Sequence, residues 1–323
     1  MNYKYIFKAV AVSAVAAVFS IGCGDGGGGD DNGGGGGGGG KGDLQKWTAV
    51  SNSTFGSSVI FGIAYGNNRF VAVGSNGKMA YSDNGANWTA VANSTFGTET
   101  ITKIAYGGGR WFAMGSGIAY SDDNGVTWTA VSDSELPNFD IAYGNNRWVA
   151  VGKGGIAYSD DGASWTAVSN SPFGSSSITD IAYGGGRWFA MGSGIAYSDD
   201  NGVTWTAVSD NTLFAYGIED IVFGNNRFVA VAGSRIAYSD NVISWTNTTF
   251  TSSEMTIEAI AYGNNRFVAV GASASGTIAY SDDNGVTWTA VEGSGMISIA
   301  FDIAYGNNRF VAVGSGKIAY ADW

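Results

Sequence analysis

A unit of close to 40 residues, repeated seven times, limits what this chain can fold into. The segment Ile63-Ala64-Tyr65-Gly66-Asn67-Asn68-Arg69-Phe70-Val71-Ala72-Val73-Gly74 recurs, with its arginine at Arg69, Arg110, Arg147, Arg187, Arg227, Arg266 and Arg309. The intervals are 41, 37, 40, 40, 39 and 43 residues. A second signature, Tyr81-Ser82-Asp83-Asn84-Gly85-Ala86-Asn87-Trp88, trails the first, and its tryptophan returns at Trp128, Trp165, Trp205, Trp245 and Trp288. Such a period, built from short apolar runs, marks an array whose units bury their faces against their neighbours. It overrides the two domains, roughly, that 323 residues would suggest by length.

Each unit reads as four strands. The first ends in Ile-Ala-Tyr, and a Gly-Asn-Asn turn follows, where positive φ costs little. Arg-Phe-Val-Ala-Val is the second, Ile-Ala-Tyr-Ser the third and Trp-Thr-Ala-Val the fourth, with an Asp-Asp-Asn-Gly type of turn between the last two. The seventh unit stops at Ala321-Asp322-Trp323 without its fourth strand, and the globular part begins with that strand, Trp47-Thr48-Ala49-Val50. The expected fold is therefore all-β: a seven-bladed β-propeller closed by the N-terminal strand joining the last blade. Closure removes the open sheet edges that a linear solenoid would leave.

Residue types narrow the chemistry. There is no histidine, and Cys23 is the one cysteine. This excludes histidine metal ligands, histidine-based triads, internal disulfides and cysteine zinc clusters. Lys+Arg total 16 against 27 Asp+Glu, a net charge of −11, which argues against a nucleic-acid partner. Apolar residues at 45%, with 14% aromatic, are enough for a packed core.

Residues 1–22 read as a leader: Lys4 and Lys8, then an apolar run from Ala9 to Phe19, then Ser20-Ile21-Gly22-Cys23. The run is too short to span a membrane as a helix. Its end resembles a bacterial lipobox, with Ser20 where leucine is usual. That resemblance implies diacylation of Cys23 and a lipid anchor on a membrane of the bacterial cell envelope, at the outer membrane or cell surface. Loss of Lys4 and Lys8 with the leader would take the charge from −11 to −13. Residues 23–43, mostly glycine with Asp25, Asp30, Asp31 and Asp43, form a flexible tether with a reach of about 25 Å. Residues 44–323 are left for the propeller.

The run Ser82-Asp83-Asn84-Gly85-Ala86-Asn87-Trp88 resembles the Asp-box, or BNR repeat, of sialidase-like propellers. Copies begin at Ser121, Ser159, Ser198 and Ser281, and a degenerate one at Ser239 has Val242 and Ile243 in the glycine region. The order Val-Ala-Val-Gly, Tyr-Ser-Asp, Trp is also similar to the photosystem-assembly type of BNR propeller. In the turn, Asp83, Asp122, Asp160, Asp199, Asp240 and Asp282 are expected to accept backbone N–H bonds. Glycine takes the left-handed position and Trp88, Trp128, Trp165, Trp205, Trp245 and Trp288 pack beneath the hairpin. The same oxygen-rich turn is the alternative home of a Ca2+ ion.

The sialidase resemblance implies an arginine triad, a Tyr–Glu nucleophile pair and an aspartate acid/base, all placed asymmetrically. Here the seven arginines hold one equivalent position, the Arg-Ile-Pro signature is missing, and residues 104–133 repeat identically as 181–210. The arginines read as stacking on aromatics and bonding turn carbonyls. Divergence is concentrated in the loops at the end away from the Asp-boxes. There Phe55, Phe96, Phe173, Phe214 and Phe250 recur, either plugging the gaps between blades or anchoring a ligand on a binding rim. Asp140, Asp180, Asp220 and Asp302 each precede an Ile-Ala-Tyr or Ile-Val-Phe, in a ring broken by Lys103, Gly62 and Ala259. They either cap N–H groups at the strand starts or hold a cation such as Ca2+. The sequence thus points to a monomeric, non-catalytic, envelope-anchored propeller that binds a protein or a glycan through its variable face. A glycoside hydrolase and an assembly or scaffold factor are the alternatives.

Overall fold

The computed structural model describes residues 46–131, 136–153, 155–192, 194–208, 218–250, 255–273, 277–291 and 296–323. The leader 1–22, Cys23, the tether and Phe214 lie outside them. Every named element is a strand, and the strands make seven antiparallel meanders arranged as a seven-bladed β-propeller. Blade 1 runs Ile60–Gly66, Arg69–Gly74, Met79–Ser82 and Thr89–Ala90. The inner strands of blades 2 to 6 are Ile101–Gly107, Asp140–Gly144, Ile178–Gly184, Asp220–Gly224 and Thr256–Gly263. Blade 6 gains a fifth, parallel strand, Thr249–Phe250, which pairs with Thr287 and Trp288.

Local chemistry explains each hairpin. In blade 1 Gly66 pairs with Arg69 across Asn67 and Asn68, whose φ values are +47° and +58°. Two successive left-handed residues suit the strand twist, and asparagine tolerates them. Beyond the turn, Phe70 and Ala72 face blade 7 while Val71 and Val73 face blade 2. This period of two, apolar on both faces, is what a sheet stacked between two others requires. Seven buried clusters result, one at each junction between blades.

The junction between blades 7 and 1 is as complete as the others. Blade 7 consists of Ala300–Gly306, Arg309–Gly314, Ile318–Asp322 and, as its outer strand, Thr48–Ala49. Thr48 pairs with Tyr320 and Ala49 with Ala319, and the Val50 N–H donates to the Ile318 carbonyl at 2.8 Å. Trp47 is 3% exposed and meets Trp323 edge to face at 6.2 Å. At the axis a Cβ on Gly306 would lie 2.1 Å from the Tyr65 ring, so only glycine lets the last blade approach the first.

Closure is testable at both places. Trp47→Ala should cost about 3–5 kcal/mol, the usual range for emptying a large aromatic site, and truncation through Val50 should lower Tm further. Gly306→Ala should lower Tm as well. A thermal unfolding curve unchanged in all three would mean that the ring is not held by this seam.

Candidate functional site

The Asp-box end of the propeller is a repeated clamp. Each arginine donates through Nε to the first aspartate of its own box, at 2.6 Å for Arg69–Asp83, Arg110–Asp122, Arg147–Asp160 and Arg227–Asp240. Arg187–Asp199, Arg266–Asp282 and Arg309–Asp322 repeat the pair. The guanidinium lies over the tyrosine of its own third strand, 4.1 to 4.7 Å from the ring centroid. Its Nη1 reaches the turn carbonyl of the next blade: Asn124 for Arg69, Asn201 for Arg147 and Asn84 for Arg309. Arg266 instead covers Trp323 at 4.4 Å.

This corrects the role expected of Asp83, Asp122, Asp160, Asp199, Asp240 and Asp282. They pair with arginine, and that hydrogen bond holds Asp160 and Asp240 below the usual carboxylate range. The backbone N–H groups go to the residue that follows. Asn84 Oδ1 accepts from Ala86 and Asn87 at 3.0 and 2.9 Å, and Asp123 Oδ1 from Val126 and Thr127 at 3.2 and 2.8 Å. Desolvation pushes Asp123 up, but the bonds from Thr127, Ser121 and Val126 prevail and lower it to about 2. The box serine accepts from the left-handed residue, Gly85 N–H to Ser82 Oγ at 2.8 Å. Trp88 Nε1 closes the turn on the Gly85 carbonyl at 3.0 Å, as Trp128, Trp205, Trp245 and Trp288 do in their copies, while Trp165 packs beside the blade 2–3 junction. The copy at Ser239 keeps the turn even though Val242 stands at φ +59°, an unfavourable conformation for a β-branched residue.

The loop phenylalanines resolve toward packing. Phe55, Phe96 and Phe173 are 0%, 8% and 8% exposed, each within a junction cluster, and Phe250 packs against the cluster between blades 5 and 6. The binding rim expected of them is not formed by these four side chains, because each fills the wedge between two diverging sheets.

A different set occupies the variable mouth of the channel. The residue two places before each Ile-Ala-Tyr or Ile-Val-Phe is Phe61, Thr102, Phe139, Thr179, Glu219, Glu258 and Phe301 in blade order. In five blades this residue is the extra one of a β-bulge, between Ile60 and Gly62 for example. Bulges re-aim side chains at functional rims. Phe61 and Phe301 stack at 5.6 Å, and Phe139 is 39% exposed. Sequence reasoning passed over this position. The signal was present: it is an inner-strand position whose chemical class changes around the ring.

Directly beneath lie Asp140, Asp180, Asp220 and Asp302, none more than 1% exposed. Asp302 accepts from its own Ile303 N–H and from Ile63 of the next blade, both at 2.7 Å. Asp220 bridges Ile221 and Ile260 in the same way, at 2.7 and 2.8 Å. Asp140 accepts from Ile181 at 3.0 Å and from Ile141. Three carboxylates therefore cap six strand-start N–H groups in pairs. The N–H groups on either side of Asp180 are already taken, so its carboxyl accepts no backbone bond and lies instead against that of Asp140, while the buried Lys103 Nζ has no hydrogen-bond partner. Burial raises all four, Asp140 to about 6 and Asp302 to about 7, against the pull of Lys103. Asp180 and Asp220 lie well above the usual range, by burial first, with the Asp140 and Asp220 charges adding at Asp180. Of the two readings of this set, capping holds for Asp140, Asp220 and Asp302, whose oxygens face backbone donors; for the cation alternative, no three acidic side chains among the described residues are disposed to hold a metal ion.

Known proteins match this architecture. The BNR/Asp-box repeat family model matches residues 119–130, 196–207 and 279–290, the boxes of blades 2, 4 and 6. No curated protein matches the sequence. Among solved structures the chain is similar to YCF48 from Cyanidioschyzon merolae, with 19% identity, a TM-score of 0.67, and coverage of 85% of this chain and 98% of that one. It is similar to YCF48 bound to D1 peptide, with 16% identity, a TM-score of 0.68, and coverage of 88% and 96%. A catalytically inactive virginiamycin B lyase from Staphylococcus aureus, with quinupristin, gives 13%, 0.69, 86% and 99%. At these identities the likeness shows the fold, a seven-bladed β-propeller carrying BNR/Asp-box repeats.

The aspartate ring sets the sign of the pH dependence. A carboxyl raised by folding contributes stability that is complete below its ordinary range and lost as pH climbs through its folded value. For Asp140 and Asp302 that loss begins in the ordinary carboxylate range and is complete near pH 6 to 7, so Tm should be higher at about pH 5 than at about pH 8. Asp180→Asn removes a charge that caps nothing. It should raise Tm at the higher pH and flatten the profile, with about 1.4 kcal/mol for each unit of displaced titration. A lower Tm for this variant at both pH values would contradict the assignment.

Proposed function

We propose that the chain is a non-catalytic binding propeller that engages a segment of a protein partner at its variable channel mouth. One observation carries this reading. The repeated arginines, the box residues and the described loop phenylalanines are occupied with structure, whereas one inner-strand position changes chemical class around the ring: Phe61, Thr102, Phe139, Thr179, Glu219, Glu258 and Phe301. A ligand site must differ from blade to blade to hold one partner in one orientation. This ring does so, with phenylalanines at blades 7, 1 and 3 and glutamates at blades 5 and 6. A similar propeller is known bound to a peptide, which supports a protein ligand over a glycan. Against hydrolysis stands the use of the seven repeated arginines, of eight in the chain: each is paired with an aspartate of its own blade and stacked on an aromatic ring. The lipobox-like segment ending at Cys23 adds a membrane anchor to the proposal, which would present the propeller from the cell envelope on its glycine-rich tether.

Phe139 is the most exposed of the ring's aromatics, so Phe139→Glu tests the site with little risk to the fold. Crosslinking in cells should trap one partner on the full chain. The variant should lose it, with affinity for the purified partner reduced roughly tenfold or more, as for an aromatic anchor. Retention of the partner would move the site elsewhere, and turnover of a fluorogenic sialoside by the purified chain would replace binding with catalysis. Labelled palmitate should enter the intact chain and not Cys23→Ser.

A further inference from the structure

We propose that the opposite end of the channel, where the Asn-Asn turns converge, is a second binding site, and that its ligand is a neutral sugar ring at the end of a glycan. It does not rest on the variable mouth and involves none of its residues. The cavity there has a volume of about 870 Å³ and spans blades 4 to 7 and blade 1. Its walls are Tyr65, Tyr183, Phe223, Tyr262 and Tyr305, and its rim carries the asparagines of the turns. That size lies within the range of small-ligand sites.

The absence of charge selects the ligand class. No Asp, Glu, Lys or Arg lines the cavity, although the chain carries 16 basic and 27 acidic residues. An ionic ligand would find no counter-charge there. Desolvation raises Tyr65, Tyr183, Tyr262 and Tyr305, so their hydroxyls stay neutral.

The polar groups are arranged as pairs. The Tyr65, Tyr262 and Tyr305 hydroxyls donate to Oδ1 of Asn68, Asn265 and Asn308 at 3.4, 3.3 and 3.4 Å. Each pair then offers a phenolic oxygen as acceptor beside an amide Nδ2 as donor, which matches the adjacent hydroxyls of a sugar. Between the pairs the aromatic rings provide apolar surface for its C–H face. A lipid chain would leave the polar groups unmatched, which costs affinity.

The walls are preorganised. Each ring is wedged over a glycine of the preceding blade, where a Cβ would lie 2.1 Å from Tyr65, 2.1 Å from Tyr262 and 2.0 Å from Tyr305. Each also packs on its own blade's second strand, with centroids at 4.6 Å for Tyr65–Phe70, Tyr262–Phe267 and Tyr305–Phe310. Rings held in this way lose little freedom on binding. The repeat also breaks here: Phe223 lacks the hydroxyl of its six counterparts, and blades 2 and 4 have Gly108-Gly109 and Gly185-Gly186 in place of Asn-Asn. The site is therefore one-sided despite the near sevenfold frame.

Those breaks supply fold-compatible variants. Tyr262→Phe and Tyr305→Phe copy Phe223, while Asn265→Gly and Asn308→Gly copy Gly109 and Gly186. The full chain would be applied to an array of neutral hexose and N-acetylhexosamine oligomers, with sialylated and sulfated oligomers alongside. The expected result is retention of a neutral oligomer, weakened roughly tenfold or more in the fourfold variant at unchanged Tm, and unaffected by Phe139→Glu. No retention of any neutral oligomer, retention of the anionic ones alone, or equal binding by the fourfold variant would each overturn the proposal.

Discussion

The whole molecule depends on bringing seven inner strands around one axis at near-contact distance. That constraint explains the glycine closing each inner strand. At Gly66, Gly107, Gly144, Gly184, Gly224, Gly263 and Gly306 a Cβ would fall 2.0 to 2.3 Å from an aromatic ring of the next blade. The aromatic ring occupies the space where a side chain would have been, and both groups lie within a junction between blades. Farther out the repeated arginines follow the same directional relation, joined to their own blade by an aspartate and a tyrosine and to the next by a carbonyl, or for Arg266 by the Trp323 ring. Exposed ion pairs contribute little alone. Here the stacked and bridging guanidinium adds orientation, fixing how far one blade rotates against its neighbour.

Much of this was legible in the residues because it is local or periodic. Asn67-Asn68 specifies its turn within four residues, the alternation in Phe70–Val73 specifies two buried faces, and the missing strand after Asp322 identifies Trp47–Val50 as its replacement. What could not be read depends on partners a blade away. Asp83 and Asn84 are adjacent and both polar, and only the position of Arg69 assigns one to a guanidinium and the other to backbone. Phe55 looks the same in sequence whether it fills a wedge or faces solvent. Asp180 differs from Asp140 and Asp220 only because their oxygens have taken the N–H groups it would have used. That is a competition among residues some 40 positions apart.

The same division separates architecture from recognition. Sequence positions under geometric demand repeat almost without change, and two blades share 30 consecutive residues. Positions under a looser geometric demand differ from blade to blade, and they include the residues before the inner-strand aspartates at one end and the hydroxyl and carboxamide pairs at the other. The buried aspartates follow directly on the residues at the first end, whereas no charged side chain lines the cavity at the second, so the two ends are chemically distinct.

The clasp formed by Thr48–Ala49 on Ile318–Asp322 also fixes when the molecule can be finished. Nearly the entire propeller lies between these partners in the chain, so the seam is among its most non-local contacts, the kind that forms late. During synthesis the first strand emerges with its partner still unmade, and six blades can stack while the seventh lacks its outer edge. Until the ribosome has delivered Tyr320, that unfinished edge is where a nascent chain would be most vulnerable to pairing with the wrong neighbour.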